Sequence, residues 1–202
     1  APTIPPPQPR IGAAHSTQEG KPAMAKAAEA LTLGFLTAVD LPGGGHVGGL
    51  LMTDRLGRPL EFQCTTPVRP DRTQQILYGP TLVPYLLGEV IGGTLIKKAG
   101  VKPNLILCDS AAMLSLRPHT DRAVARVEGD EADAPPVGHE AGPSGGSALS
   151  VGCRTLHFHP SHGADREFVS ECRDRIPEHA DLSEPFERVR EALSETCKSV
   201  AA

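Results

Sequence analysis

The sequence predicts an α/β (α+β) fold built on a mixed sheet. Three observations carry this. Apolar runs of strand length crowd the first third, helical apolar spacing recurs in the middle and at the C-terminus, and Asn104 to Cys108 (NLILC) forms a short continuous apolar run.

The run Leu31 to Leu41 (LTLGFLTAVDL) reads as strand one, stopped by Pro42 and the glycines at 43 to 45. Val47 to Thr53 and Pro59 to Thr65 follow, joined by the Gly-containing connection Asp54-Arg55-Leu56-Gly57-Arg58, so an N-terminal three-strand antiparallel meander is expected. Pro67 and Pro70 break the chain, and Asp71 can cap a helix near 71–79. A longer helix starts around 81, with Leu82, Leu86, Val90 and Ile91 at helical spacing. Proline inside a helix removes a donor and clashes with the previous turn, so Pro80 falls between the two helices and Pro84 is tolerated only within the first turn of the second. Gly100 ends this helix. The NLILC run is then strand four, entered from a helix and therefore parallel to a neighbour, with both faces buried. Ala148 to Phe158 reads as a fifth strand, followed by helices near 165–175 and 184–198. Ser183 is the expected cap of the last helix, and Phe186, Val189 and Leu193 its apolar stripe.

Of 202 residues, 20 are Pro and 21 Gly, and two stretches rich in them and poor in large apolar residues stand out. Residues 1–22 (APTIPPPQPRIGAAHSTQEGKP) read as a disordered Pro-rich tail, and residues 23–202 as a single α/β domain with a disordered insertion at about 128–147 (EGDEADAPPVGHEAGPSGGS for 128 to 147). A formal net charge of −4 leaves no global basic field for phosphate binding. With 3% aromatic residues and no Trp, a stacking surface for single strands is disfavoured. The five cysteines are odd in number and form no Cys-x-x-Cys pair, so they read as buried reduced thiols. No secretory signal and no apolar run of membrane-span length is legible, which makes a cytoplasmic location and no membrane partner the expectation.

Several groups could carry chemistry. His157 and His159 alternate along the last strand and His162 can turn back towards them. Three imidazoles would make an open zinc site for a zinc-dependent hydrolase, although no nearby Cys or Glu completes it. Gly43-Gly44-Gly45-His46-Val47-Gly48-Gly49 lacks the Gly-Lys-Ser/Thr ending of a phosphate loop and leads into a strand, so a hairpin loop is the better reading. Ser110 has no Gly-x-Ser-x-Gly elbow around it. Arg55, Arg58, Arg69 and Arg72 bracket strand three, where Asp54, Glu61 and Asp71 offset them. Glu184, Glu187, Glu191 and Glu195, interleaved with Arg188 and Arg190, suit intrahelical pairs.

A meander, a helix and a buried parallel strand ending in Cys108-Asp109-Ser110, with His162-Gly163-Ala164-Asp165 downstream, resemble the ribonuclease H-like superfamily. The resemblance implies four carboxylates converging on two Mg or Mn ions, and here these are Asp40, Glu89, Asp109 and Asp165. Asp40 departs from that pattern by closing strand one, and Gln74 and Gln75 stand in the early helix. Residues 48–99, including GRPLEFQCTTPVRP and QQILYGPTLVPYLLGEVIGG, also resemble an uncharacterised bacterial protein family. Because every proposed site lacks one element, the leading expectation is a non-catalytic protein-interaction or regulatory domain with a protein partner. The alternatives are a divergent metal-dependent nuclease or phosphoesterase, which would bind nucleic acid, and the zinc hydrolase.

Overall fold

A computed structural model describes residues 31–129 and 146–201. The Pro-rich tail and all but the ends of the insertion lie outside the described residues. Both described segments enter one seven-stranded sheet of order β3-β2-β1-β4-β5-β7-β6.

The meander comprises β1 (Thr32–Asp40), β2 (His46–Asp54) and β3 (Pro59–Cys64). β1 and β2 pair from Thr32↔Asp54 to Asp40↔His46 across a turn in which Gly43, Gly44 and Gly45 all have φ between 85° and 94°. Only glycine adopts that run without strain. β4 (Leu105–Cys108) lies parallel to β1, with Leu36 opposite Cys108, and all four of its residues are buried, as its unbroken apolar sequence requires.

Two corrections concern the second half. β5 (Ala123–Val127) lies parallel beside β4 and has no counterpart in the sequence reading. The expected fifth strand is instead a hairpin of β6 (Ala148–Val151) and β7 (Arg154–Phe158), turned at Gly152, whose φ is 59°. A 3-10 segment (Ala111–His119) joins β4 to β5, with the Ser110 side chain accepting from the Ala112 N–H at its start.

Helices cover both faces. On one, α1 (Arg72–Tyr78) is closed by a capping box between Asp71 and Gln74, and Pro80 falls in a 3-10 turn (Gly79–Thr81). The helix resumes as α2 (Leu82–Pro84), a π-helical stretch (Tyr85–Gly92) and α3 (Gly93–Lys98). The run Arg72–Lys98 is long and apolar enough to cross a bilayer, which corrects the reading that no such segment exists. Its Leu86, Leu87, Ile91 and Leu95 are nonetheless buried, the last three beside Leu36, Ile106 and Cys108. On the other face lie α4 (Ala164–Cys172) and α5 (Glu184–Ala201), and Phe186 meets Phe35 edge-on at 5.4 Å. Burying one such ring stabilises by roughly 1.5–3 kcal/mol. Ser183 does not cap α5; its Oγ is buried and has no hydrogen-bond partner among the described residues.

Gly48 and Gly49 let helices approach β2 from opposite sides. A Cβ on Gly48 would lie 2.0 Å from Ile91 Cγ2, and one on Gly49 2.6 Å from Val189 Cγ1. Beside them on the edge strand, Glu61 accepts from the backbone N–H groups of Gly100 and Val101 at 3.0 and 2.6 Å, tying β3 to the end of α3. The Val101 N–H, then that of Gly100 and the Gln63 side chain, hold the Glu61 carboxyl below the usual range. A carboxylate with a depressed folded pKa stabilises above its unfolded value and loses that contribution as pH falls through the folded one. Acid scans of the thermal midpoint below about pH 4.3 should therefore fall less steeply for Glu61→Gln than for the wild type. Parallel curves would remove this contact from the acid response.

The cysteine reading holds for Cys108 and Cys172, which are buried. Burial pushes the thiols of both up. Cys64 and Cys197 are half-buried, and Cys153 is exposed in the β6–β7 turn.

Candidate functional site at the carboxyl ends of β1 and β4

In an open α/β sheet, strand order reverses where neighbouring connections leave in opposite directions, and the gap beyond the carboxyl ends there is where ligands bind. Here β1 sits between β2 and β4, and the chain leaves β4 at Asp109. Counting from Leu36↔Cys108, Asp109 comes level with Thr37.

Thr37 is fully buried and its hydroxyl donates to Asp109 Oδ2 at 2.5 Å. Arg190, on α5, reaches the same oxygen through Nη2 at 2.7 Å. The side chains of Asp109 and Arg190 are 18% and 37% exposed, so the pair sits at the mouth of the gap. Burial raises the Asp109 carboxyl above the usual carboxylate range, against the opposing pull of the Thr37 hydroxyl and the Arg190 guanidinium.

The other carboxylates assigned by resemblance do not join Asp109. Asp40 lies three residues beyond Thr37, about 10 Å along the strand. Alternation also puts it on the opposite face, in phase with Leu36 and Ala38, and there it pairs with His46 Nδ1 at 2.7 Å. Glu89, in the π-helical stretch, stands 3.4 Å from His119 Nε2. Asp165, 3% exposed, is held by Arg117 Nε at 2.6 Å and accepts the Val124 N–H at 3.2 Å, near the amino end of β5. Among the described residues no group of three His, Cys, Asp or Glu side chains could hold a metal ion.

The histidines separate as well. On β7, His157 Nε2 is 3.5 Å from Oε2 of Glu128, the residue after β5, while His159 lies past the end of β7, so the alternation expected to align the two histidines lapses. His159 and His162 rings meet edge-on at 5.1 Å, and His159 Nδ1 accepts the Ser161 N–H. Burial, then His162 and Arg117, hold the His159 imidazole below its ordinary pKa against the pull of Asp165. The arginines around strand three are also divided. Arg55 and Arg58 sit in the β2–β3 turn, at the end of the sheet opposite Asp109, whereas Arg69 packs beside Gly45.

The strand order 3-2-1-4-5, antiparallel through β1 and parallel from β1 to β5, now stands together with a carboxylate closing the fourth strand. The fold is ribonuclease H-like. No protein-family model matches the chain, and no curated protein matches it. Among solved structures, it is similar to a Bacillus subtilis endonuclease V at 9% identity, covering 83% of each chain with a TM-score of 0.48. A Ciona intestinalis endonuclease V, solved with DNA containing an inosine, shares 13% identity over 84% of this chain and 88% of that one, at a TM-score of 0.43. The catalytic domain of human endonuclease V shares 15% over 85% of each, also at 0.43. These neighbours are endonucleases. The expectation of a non-catalytic protein-interaction or regulatory domain is corrected on that finding.

Thr37 and Arg190 were not legible as site residues. Thr37 has no distinguishing signal, since its role follows from the β1–β4 register. Arg190 is flanked by Glu187 and Glu191, which makes an intrahelical pair the natural reading. α5 does form such pairs, Arg188 with Glu184 at 2.9 Å and Lys198 with Glu195 at 2.7 Å, but Arg190 turns to the sheet.

Proposed function

We propose that the chain acts on nucleic acid, receiving a backbone phosphodiester at the carboxyl ends of β1 and β4. One observation carries this reading: a guanidinium, fixed by a single carboxylate, stands at the mouth of the gap where this sheet reverses its strand order. A planar guanidinium presents five donors suited to phosphate oxygens, and the Nη2 contact with Asp109 holds it at the gap in advance. With a net charge of −4, attraction is confined to such local cations.

The resemblance implies Mg or Mn, and the residues present do not fit a two-ion centre. Asp109 is the one implied carboxylate in the gap, and Arg190 already neutralises it. No step is therefore assigned to a divalent ion.

Fluorescence anisotropy with short DNA and RNA oligonucleotides, with and without inosine, tests the reading. Binding should weaken with salt, and Arg190→Gln should reduce the slope of log K against log salt by about one. Absence of binding to every oligonucleotide at low salt would sink it.

A further inference from the structure

We infer that the centre at the end of β4 is an anion site that works without a divalent metal, the guanidinium of Arg190 supplying the positive charge there. This rests on the proposed nucleic-acid reading for its biological ligand, but its chemistry is testable separately.

Charge decides between a cation site and an anion site. Hard divalent cations need several oxygen ligands, mostly charged, gathered within coordination distance. Among the described residues, Asp109 is the carboxylate that Thr37 and Arg190 share, and no group of three His, Cys, Asp or Glu side chains forms around it. Its Oδ2 is shared by the Thr37 hydroxyl and by Arg190 Nη2, so one of its two oxygens is already taken by two donors. Asp40 faces the other side of the sheet, Glu89 and His119 lie together elsewhere, and Asp165 belongs to Arg117. A cation arriving at Asp109 would meet a fixed positive charge.

An anion meets the reverse arrangement. Arg190 uses one terminal nitrogen on Asp109, and more than a third of the side chain is exposed, which leaves donors of the fork for a phosphate oxygen. The buried Thr37–Asp109 contact keeps the carboxylate in place, and Asp109 in turn keeps the guanidinium from swinging into solvent. Thr37 and Asp109 are positioning residues here, and Arg190 is the group that touches the ligand.

The experiment has three arms on the full chain. Manganese titration followed by electron paramagnetic resonance should show no Mn2+ binding that depends on Asp109. Mn2+ bound by the wild type and lost in Asp109→Asn would overturn the inference. Inorganic phosphate should raise the thermal midpoint equally in EDTA and in Mg2+. It should do so at roughly tenfold higher concentration for Arg190→Gln, with Arg190→Lys between them, because a lysine keeps the charge without the fork. Phosphate stabilisation that requires Mg2+, or that survives unchanged in Arg190→Gln, would overturn it. Circular dichroism of each variant identifies any that fails to fold, and the wild-type EDTA comparison decides the question without them. Oligonucleotide binding then separates the two readings. Phosphate bound without metal but no oligonucleotide bound would leave the anion site and remove the proposed function. Oligonucleotide cleavage that needs Mg2+ or Mn2+ and is lost in Asp109→Asn would remove the metal-free inference and keep the nucleic-acid reading.

Discussion

Asp165→Ala should lower the unfolding free energy by about 3–5 kcal/mol, the range for removing one partner of a buried ion pair. Asp165 is 3% exposed and Arg117 16%, and their 2.6 Å contact is backed by two further bonds, the Val124 N–H to Asp165 and Arg117 Nη1 to the Thr120 carbonyl. Truncation strands a guanidinium and a backbone donor at once. Asp165→Asn keeps an acceptor for Val124 and should cost less, while an apolar pair at both positions should recover much of the loss. Urea unfolding gives the numbers, and a loss under about 1 kcal/mol for Asp165→Ala would show the pair to be merely incidental. The same variant discriminates structure from chemistry. The ribonuclease H resemblance makes Asp165 a metal ligand, whereas the structure puts it near the start of β5, so folded Asp165→Asn should bind phosphate like the wild type.

How much of this was readable in advance depends on whether the signal was local. The three-strand meander, the break at Pro80 and the buried β4 were legible because each is written in consecutive residues: alternation, a proline pair, an unbroken apolar run. β5 was not. Two of its four buried residues, Ala123 and Ala125, are too small to mark a strand, and Arg126 interrupts the run beside the acidic insertion. The β6–β7 hairpin carried a visible cue in Gly152, a lone glycine inside an apolar stretch. The site was half legible: Asp109 stands at a strand end, where carboxylates draw the eye. Thr37 and Arg190 meet it only through the register of β1 on β4 and the docking of α5, which no spacing within the chain encodes. Asp40 misled for the same reason, since the face a strand residue takes is fixed by pairing and cannot be judged from its being acidic.

Gly88→Ala should destabilise the fold by about 1–3 kcal/mol, whereas Gly93→Ala, five residues along the same helical run, should be neutral or stabilising by up to about 1 kcal/mol. The two changes are chemically identical and differ only in what a methyl would meet. At Gly88 the added Cβ would lie 2.8 Å from the Leu116 nitrogen and 2.9 Å from the Ser115 carbonyl carbon, and backbone atoms cannot rotate aside as a side chain would. At Gly93 there is nothing within 4 Å, so only the helix preference of alanine over glycine remains. The consequence reaches the site. The 3-10 segment pressed against Gly88 begins directly after Asp109 and Ser110, so relieving the clash moves the backbone that carries the Asp109 carboxylate. The thermal midpoint should therefore fall for Gly88→Ala and hold or rise for Gly93→Ala, and only Gly88→Ala should weaken phosphate stabilisation as well. Equal shifts would mean that the π-helical stretch does not press on the backbone of the 3-10 segment, and that Asp109 is held by β4, Thr37 and Arg190 without it.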